Sequence, residues 1–165
     1  MSSNGWRDTL RQILTQPDER LAIVAVGNEL RGDDAVGIYI VHRLQRDLPP
    51  SDNLLLLDAG SAPENITGIL RQFEPATVLL IDAVDMDLRP GVVYMLDLNQ
   101  NIVERVASTH TISLNLLAIY LRDTLDCSLH LLAIQPEQLN LNAPLSDAVQ
   151  ESMECIVNTC LNAFI

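Results

Sequence analysis

No apolar stretch in these 165 residues approaches the length that crosses a bilayer, roughly 20 residues. A membrane-spanning chain is therefore not expected. The first twenty residues hold neither an apolar core nor a cleavage-type tail, so they do not read as a secretory signal. Cysteine is scarce as well. Cys127, Cys155 and Cys160 are an odd number without a C-x-x-C pair. That excludes a disulfide framework and a thiolate metal knot, and it suits a reducing cytoplasm. Basic charge falls short of acidic charge, with 10 Lys and Arg against 22 Asp and Glu, a net charge of −12. Such a surface favours solubility and repels phosphate backbones, so no nucleic-acid partner is expected. Aromatics supply only 4% of residues, although 48% are hydrophobic. The core must be built from Leu, Ile, Val and Ala, as in strands covered by helices.

What is present is alternation. Apolar strand-like runs occupy 21–27, 53–60, 76–84, 92–98 and 128–136. Helical patterns occupy 34–47, 63–73, 111–125 and 145–165. This predicts one α/β domain over residues 20–165, a three-layer sandwich with a mixed, mostly parallel five-stranded sheet between helices. The turn "DLRPG" at 87–91 implies a strand running antiparallel. Residues 1–19 read as an N-terminal extension, an amphipathic helix or arm with Leu10, Ile13 and Leu14 as a docking stripe.

The stretch "GNELRGDDAVG", 27–37, joins the first strand to the first helix of that domain, where many proteins hold a phosphate. Gly27 and Gly32 have the spacing of a P-loop, but Asp33 and Asp34 stand where Lys and Ser/Thr belong. Carboxylates there would repel a triphosphate. The dinucleotide pattern G-x-G-x-x-G is absent too. One Asp is accounted for as a helix cap, and the second needs another reason.

Two further carboxylates close apolar runs, Asp58 after "LLLL" and Asp82 after "VLLI". Ligands of open α/β sheets bind outside the carboxyl ends of parallel strands. Asp34, Asp58 and Asp82 are therefore expected at one edge, where carboxylates need a shared proton or cation. Each taken singly also reads as a turn or cap residue. His110, in "ASTHTISLN", would complete a mixed oxygen and nitrogen ligand set for a divalent transition metal. His42, inside the first helix of the domain, and His130, within a strand, read as packed side chains.

The stretches "AVGNELRGDDAVG", "LLDAGSAPEN", "VLLIDAVDMDLRPG", "STHTISLN" and "AIQPEQ" together resemble the hydrogenase maturation endopeptidases, closest to the hydrogenase-3 branch. The resemblance spans about residues 21–150 and leaves the N-terminal segment outside. It implies a protease that removes the C-terminal extension of a nickel-loaded nickel–iron hydrogenase large-subunit precursor. It implies Asp34, Asp82 and His110 as metal ligands, with nickel supplied by the precursor, and Asp58 as a candidate for catalysis or for shaping the site. The chain is then expected to act as a monomer in the cytoplasm. Metal-assisted hydrolysis and paired-carboxylate acid–base chemistry both remain open. The competing readings are a non-enzymatic nickel-binding or chaperone protein and a peptidyl-tRNA hydrolase-like enzyme. The acidic surface weighs against the latter.

Overall fold

The computed structural model describes residues 5–16, 18–100, 107–108 and 111–164. Helices α1 (Gly5–Leu14), α2 (Val36–Asp47), α3 (Thr67–Phe73), α4 (Thr111–Thr124) and α5 (Asp147–Phe164) cover a sheet. Its strands are β1 (Leu21–Ala25), β2 (Leu54–Asp58), β3 (Thr77–Asp85), β4 (Val93–Asp97), β5 (Ala107–Ser108) and β6 (Ser128–Ile134). The order across the main sheet is β2-β1-β3-β6-β4, and the two-residue β5 pairs with the end of β3. β2, β1, β3 and β6 run parallel, and β4 runs antiparallel to β6. This is the mixed, mostly parallel five-stranded α/β sandwich that the alternation predicts.

The centre of the sheet is apolar on both faces because helices cover both. Every residue of β1 is buried. Leu21, Ile23 and Ala25 join a core with α1, α2 and α5, while Ala22 and Val24 join a second core with α3 and α4. β3 obeys the same alternation: Leu79, Ile81 and Ala83 face the first core, and Val78, Leu80 and Val84 the second.

The structure adds two features to the sequence reading. The turn at 87–91 is not a hairpin, because β6 lies between β3 and β4. The antiparallel strand is present, but its partner comes from later in the chain. Helix α1, in turn, is docked on the domain through the stripe expected of it. Trp6, Leu10 and Leu14 are buried in the same core as α2 and α5, with Ile13 packed against it. Arg7 Nη2 donates a hydrogen bond to Cys155 Sγ on α5 at 3.0 Å. The docking stripe on α1 is thus an interior face.

Candidate functional site

The loop after β1 is folded back on the neighbouring strand by backbone hydrogen bonds. Val26 N donates to Ile81 O at 2.9 Å, and Gly27 N to Gly60 O at 2.9 Å. Asn28 N then donates to Asp34 O at 3.2 Å, and Asp34 N to Arg31 O at 3.0 Å. Two glycines permit this compactness. A Cβ at Gly27 would collide with the carbonyl oxygen of Asp34, and one at Gly37 would stand 2.5 Å from Ile81 O. The segment carrying Asp34 is therefore pressed against β3 at Ile81, the residue before Asp82.

Asp34 is 1% exposed and Asp82 0% exposed. Burying two carboxylates costs several kcal/mol each unless hydrogen bonds or a cation compensate. Alternation along β3 points Asp82 toward the α3 and α4 face, with Leu80 and Val84 on either side of it in that core. α4, which begins at Thr111, covers this face. His110 itself lies outside the described residues.

Asp33 is not the helix cap its position suggests. The 3-10 turn Gly32–Ala35 and helix α2 both lack a side-chain cap. Asp33, 0% exposed, instead binds a distant loop. Its Oδ2 accepts from Glu137 N (2.8 Å), Gln138 N (3.2 Å) and Ser146 Oγ (2.9 Å), and its Oδ1 from Ser146 N (2.7 Å). Asp33 is the clamp that fixes the 137–146 loop beside the candidate ligand Asp34.

Asp58 ends β2 beside Ala25 of β1, at the expected edge. Its side chain leaves toward the other face, however. Leu54 and Leu56 pack on the α1, α2 and α5 core, and Leu55 and Leu57 on the opposite one. Asp58 therefore follows Leu56, away from the face of Asp82. There its Oδ2 lies 2.9 Å from His42 Nε2, while its Oδ1 accepts from Gly60 N at 2.9 Å. His42 is not the packed residue expected: its side chain is 44% exposed, with Glu29 Oε1 3.7 Å from Nδ1. The expectation of one crevice for Asp34, Asp58 and Asp82 holds for the sheet edge and fails for side-chain direction.

His130 does pack. Burial holds its imidazole below the usual histidine pKa, partly offset by Asp97 on β4. Gln135 was not singled out from the sequence, although it lies in "AIQPEQ". Only 6% exposed, it organises the segment after β3. Its Oε1 accepts from Met86 N (2.7 Å) and Leu88 N (3.3 Å), and its Nε2 donates to Asp85 Oδ1 (3.1 Å). Those bonds hold the backbone just beyond Asp82 in one conformation. The backbone N–H of Asp87 and the Gln135 amide keep the Asp85 carboxyl below its ordinary pKa.

The comparisons with known proteins converge on one family. A family model described as hydrogenase maturation protease matches residues 38–163. A Methanocaldococcus jannaschii protein assigned as a hydrogenase maturation protease is 36% identical over 149 residues, 87% of each chain. The hydrogenase 3 maturation protease of Escherichia coli is 29% identical over 134 residues, 81% of this chain and 84% of its own. Among solved structures, the [NiFe] hydrogenase maturation protease HycI from Thermococcus kodakarensis superposes with a TM-score of 0.84 at 26% identity, covering 94% of this chain and 98% of that one. From the extent of the family match and of these relatives, the chain belongs to the hydrogenase maturation protease family.

Proposed function

We propose that this protein is the endopeptidase that removes the C-terminal extension of a nickel–iron hydrogenase large-subunit precursor, and that it recognises the nickel already held by that precursor. The observation that carries this reading is the pair Asp34 and Asp82, two carboxylates almost wholly removed from solvent on adjoining segments at the carboxyl edge of the sheet. Oxygen donors accept divalent ions, and an imidazole from His110 would add a nitrogen that suits nickel. Asp34, Asp82 and His110 are the ligands in this reading, and the metal arrives as part of the substrate.

The geometry favours metal-assisted hydrolysis over paired-carboxylate chemistry. Nickel there supplies polarisation of the scissile carbonyl or of a water. Asp34 and Asp82 hold the ion, Asp33 and Gln135 hold the backbone on either side of them, and the surrounding core limits water. Asp58, the candidate base, is turned to the α2 face and engaged by His42 and Gly60. A direct role for it would require it to swing over the sheet edge.

The test is precursor trimming by Asp34→Asn, Asp82→Asn and His110→Ala, with circular dichroism recorded on the same samples. Each variant is expected to keep its secondary structure and lose trimming. Wild-type trimming by any one of them removes that residue from the site. A wild-type chain that retains nickel yet leaves a nickel-loaded precursor intact would favour a nickel carrier instead.

A further inference from the structure

Among the described residues, a further group of potential metal donors converges away from Asp34 and Asp82. Glu29 comes from the loop after β1, His42 from the middle of α2, and Asp58 from the end of β2. One donor atom from each lies within 4.8 Å of the others. These three residues are distant in sequence and meet because α2 crosses back between β1 and β2. The imidazole distinguishes the group from an ordinary acidic patch. It brings a nitrogen lone pair, the donor that first-row transition ions prefer and that calcium and magnesium do not.

We propose that Glu29, His42 and Asp58 form a second site for a divalent transition-metal ion, of the nickel or zinc kind, separate from Asp34 and Asp82. His42 Nε2 and Asp58 Oδ2 stand 2.9 Å apart. Donors bound at about 2.1 Å in neighbouring positions of a coordination shell are roughly 3 Å from one another. Gly60 N occupies Asp58 Oδ1, so the oxygen left for a ligand is the one turned to His42. Glu29 supplies the third donor. In the free chain Glu29 Oε1 lies 3.7 Å from Nδ1, the other ring nitrogen, so Glu29, whose side chain is 51% exposed, reaches an ion on Nε2 by rotating past the ring edge. Because all three groups are open to solvent, the ion enters without opening the fold and keeps water in its other positions. The site lies on the α2 face, while Asp82 points to the α3 and α4 face. It does not depend on the proteolytic reading, because it is a property of the free chain.

The experiment is calorimetric titration of nickel(II) into the tag-free full-length chain. The background is Asp34→Asn/Asp82→Asn, which removes the other carboxylate pair. That variant is expected to bind one equivalent of nickel(II). Adding His42→Ala is expected to weaken binding at least tenfold, and adding Glu29→Gln to weaken it less. Should the double variant fail to fold, His42→Ala is compared with the otherwise wild-type chain, where the number of bound ions is expected to fall by one. Both His42 and Glu29 are exposed, so these changes leave the core untouched. Paramagnetic broadening gives a second readout: the His42 ring signals should vanish at substoichiometric nickel(II) while those of His130 persist. Absence of saturable uptake by a folded double variant, or uptake unchanged by His42→Ala, would overturn the proposal.

Discussion

Asp33 is the residue whose removal should cost the most for its size. Four donors converge on its buried carboxylate, three of them backbone N–H groups of the 137–146 segment. Hydrogen bonds to a charged acceptor contribute about 1.5–3 kcal/mol each, and buried donors left unmade add a penalty. Asp33→Ala is expected to lower stability by about 3 kcal/mol in urea unfolding, and a loss under about 1 kcal/mol would refute the clamp. His130 predicts a pH effect. Burial lowers its pKa in the fold below the ordinary 6.5. The unfolded chain therefore takes up this proton first, and stability falls as pH drops through 6.5 toward the folded value. Wild-type stability minus that of His130→Gln, measured between about pH 7.5 and about pH 5.5, should shrink with acidification. An unchanged difference would contradict the assignment. The sequence showed Asp33 as a carboxylate in search of a role, and it could not show more. Its partners lie more than a hundred positions away, and only the return of the chain past β6 brings them close. The exposure of His42 was hidden for a related reason. Apolar neighbours in a helix do not reveal that one flank runs past the end of a strand.

At the scale of elements, the strands and helices were legible because their periods are clean and their ends marked. β1, β2 and β3 are short apolar runs ending in Gly or Asp, and α5 is a long amphipathic pattern. Which strand lies beside which was not legible, as the insertion of β6 between β3 and β4 illustrates. Nor was the direction of Asp58, which depends on a one-residue alternation relative to the core. The N-terminal helix was visible as a stripe, but its burial depends on α5 offering a complementary face. Leu10, 0% exposed at the centre of that contact, tests whether α1 belongs to the folding unit. Leu10→Ala should cost about 2–5 kcal/mol. It should do so in a single cooperative transition; a separate early melting of α1, or a negligible cost, would make the helix an appendage. Gly37 tests the contact between α2 and β3. A methyl group there meets Ile81 O at 2.5 Å and must push the helix away. Gly37→Ala is expected to cost about 1–3 kcal/mol. Because it shifts Asp34 relative to Asp82, precursor trimming should fall further than stability does. Trimming that merely tracks stability would show that this spacing does not matter.

For the whole molecule, the excess of acidic over basic residues, the parallel strands that end at one edge and the tight loop after β1 serve one arrangement. Carboxylates are gathered where an α/β sheet ordinarily receives a phosphate, which is why a cation is the proposed guest. The family match covers most of the domain, and the proposed function places a substrate-borne ion at the two buried aspartates. The most direct measurement is the mass of the large-subunit precursor after incubation with the purified chain, using precursor prepared with and without nickel. The account predicts loss of the C-terminal extension from the nickel-loaded precursor and none from the nickel-free one. Equal trimming of the two, or no trimming of either, would contradict it.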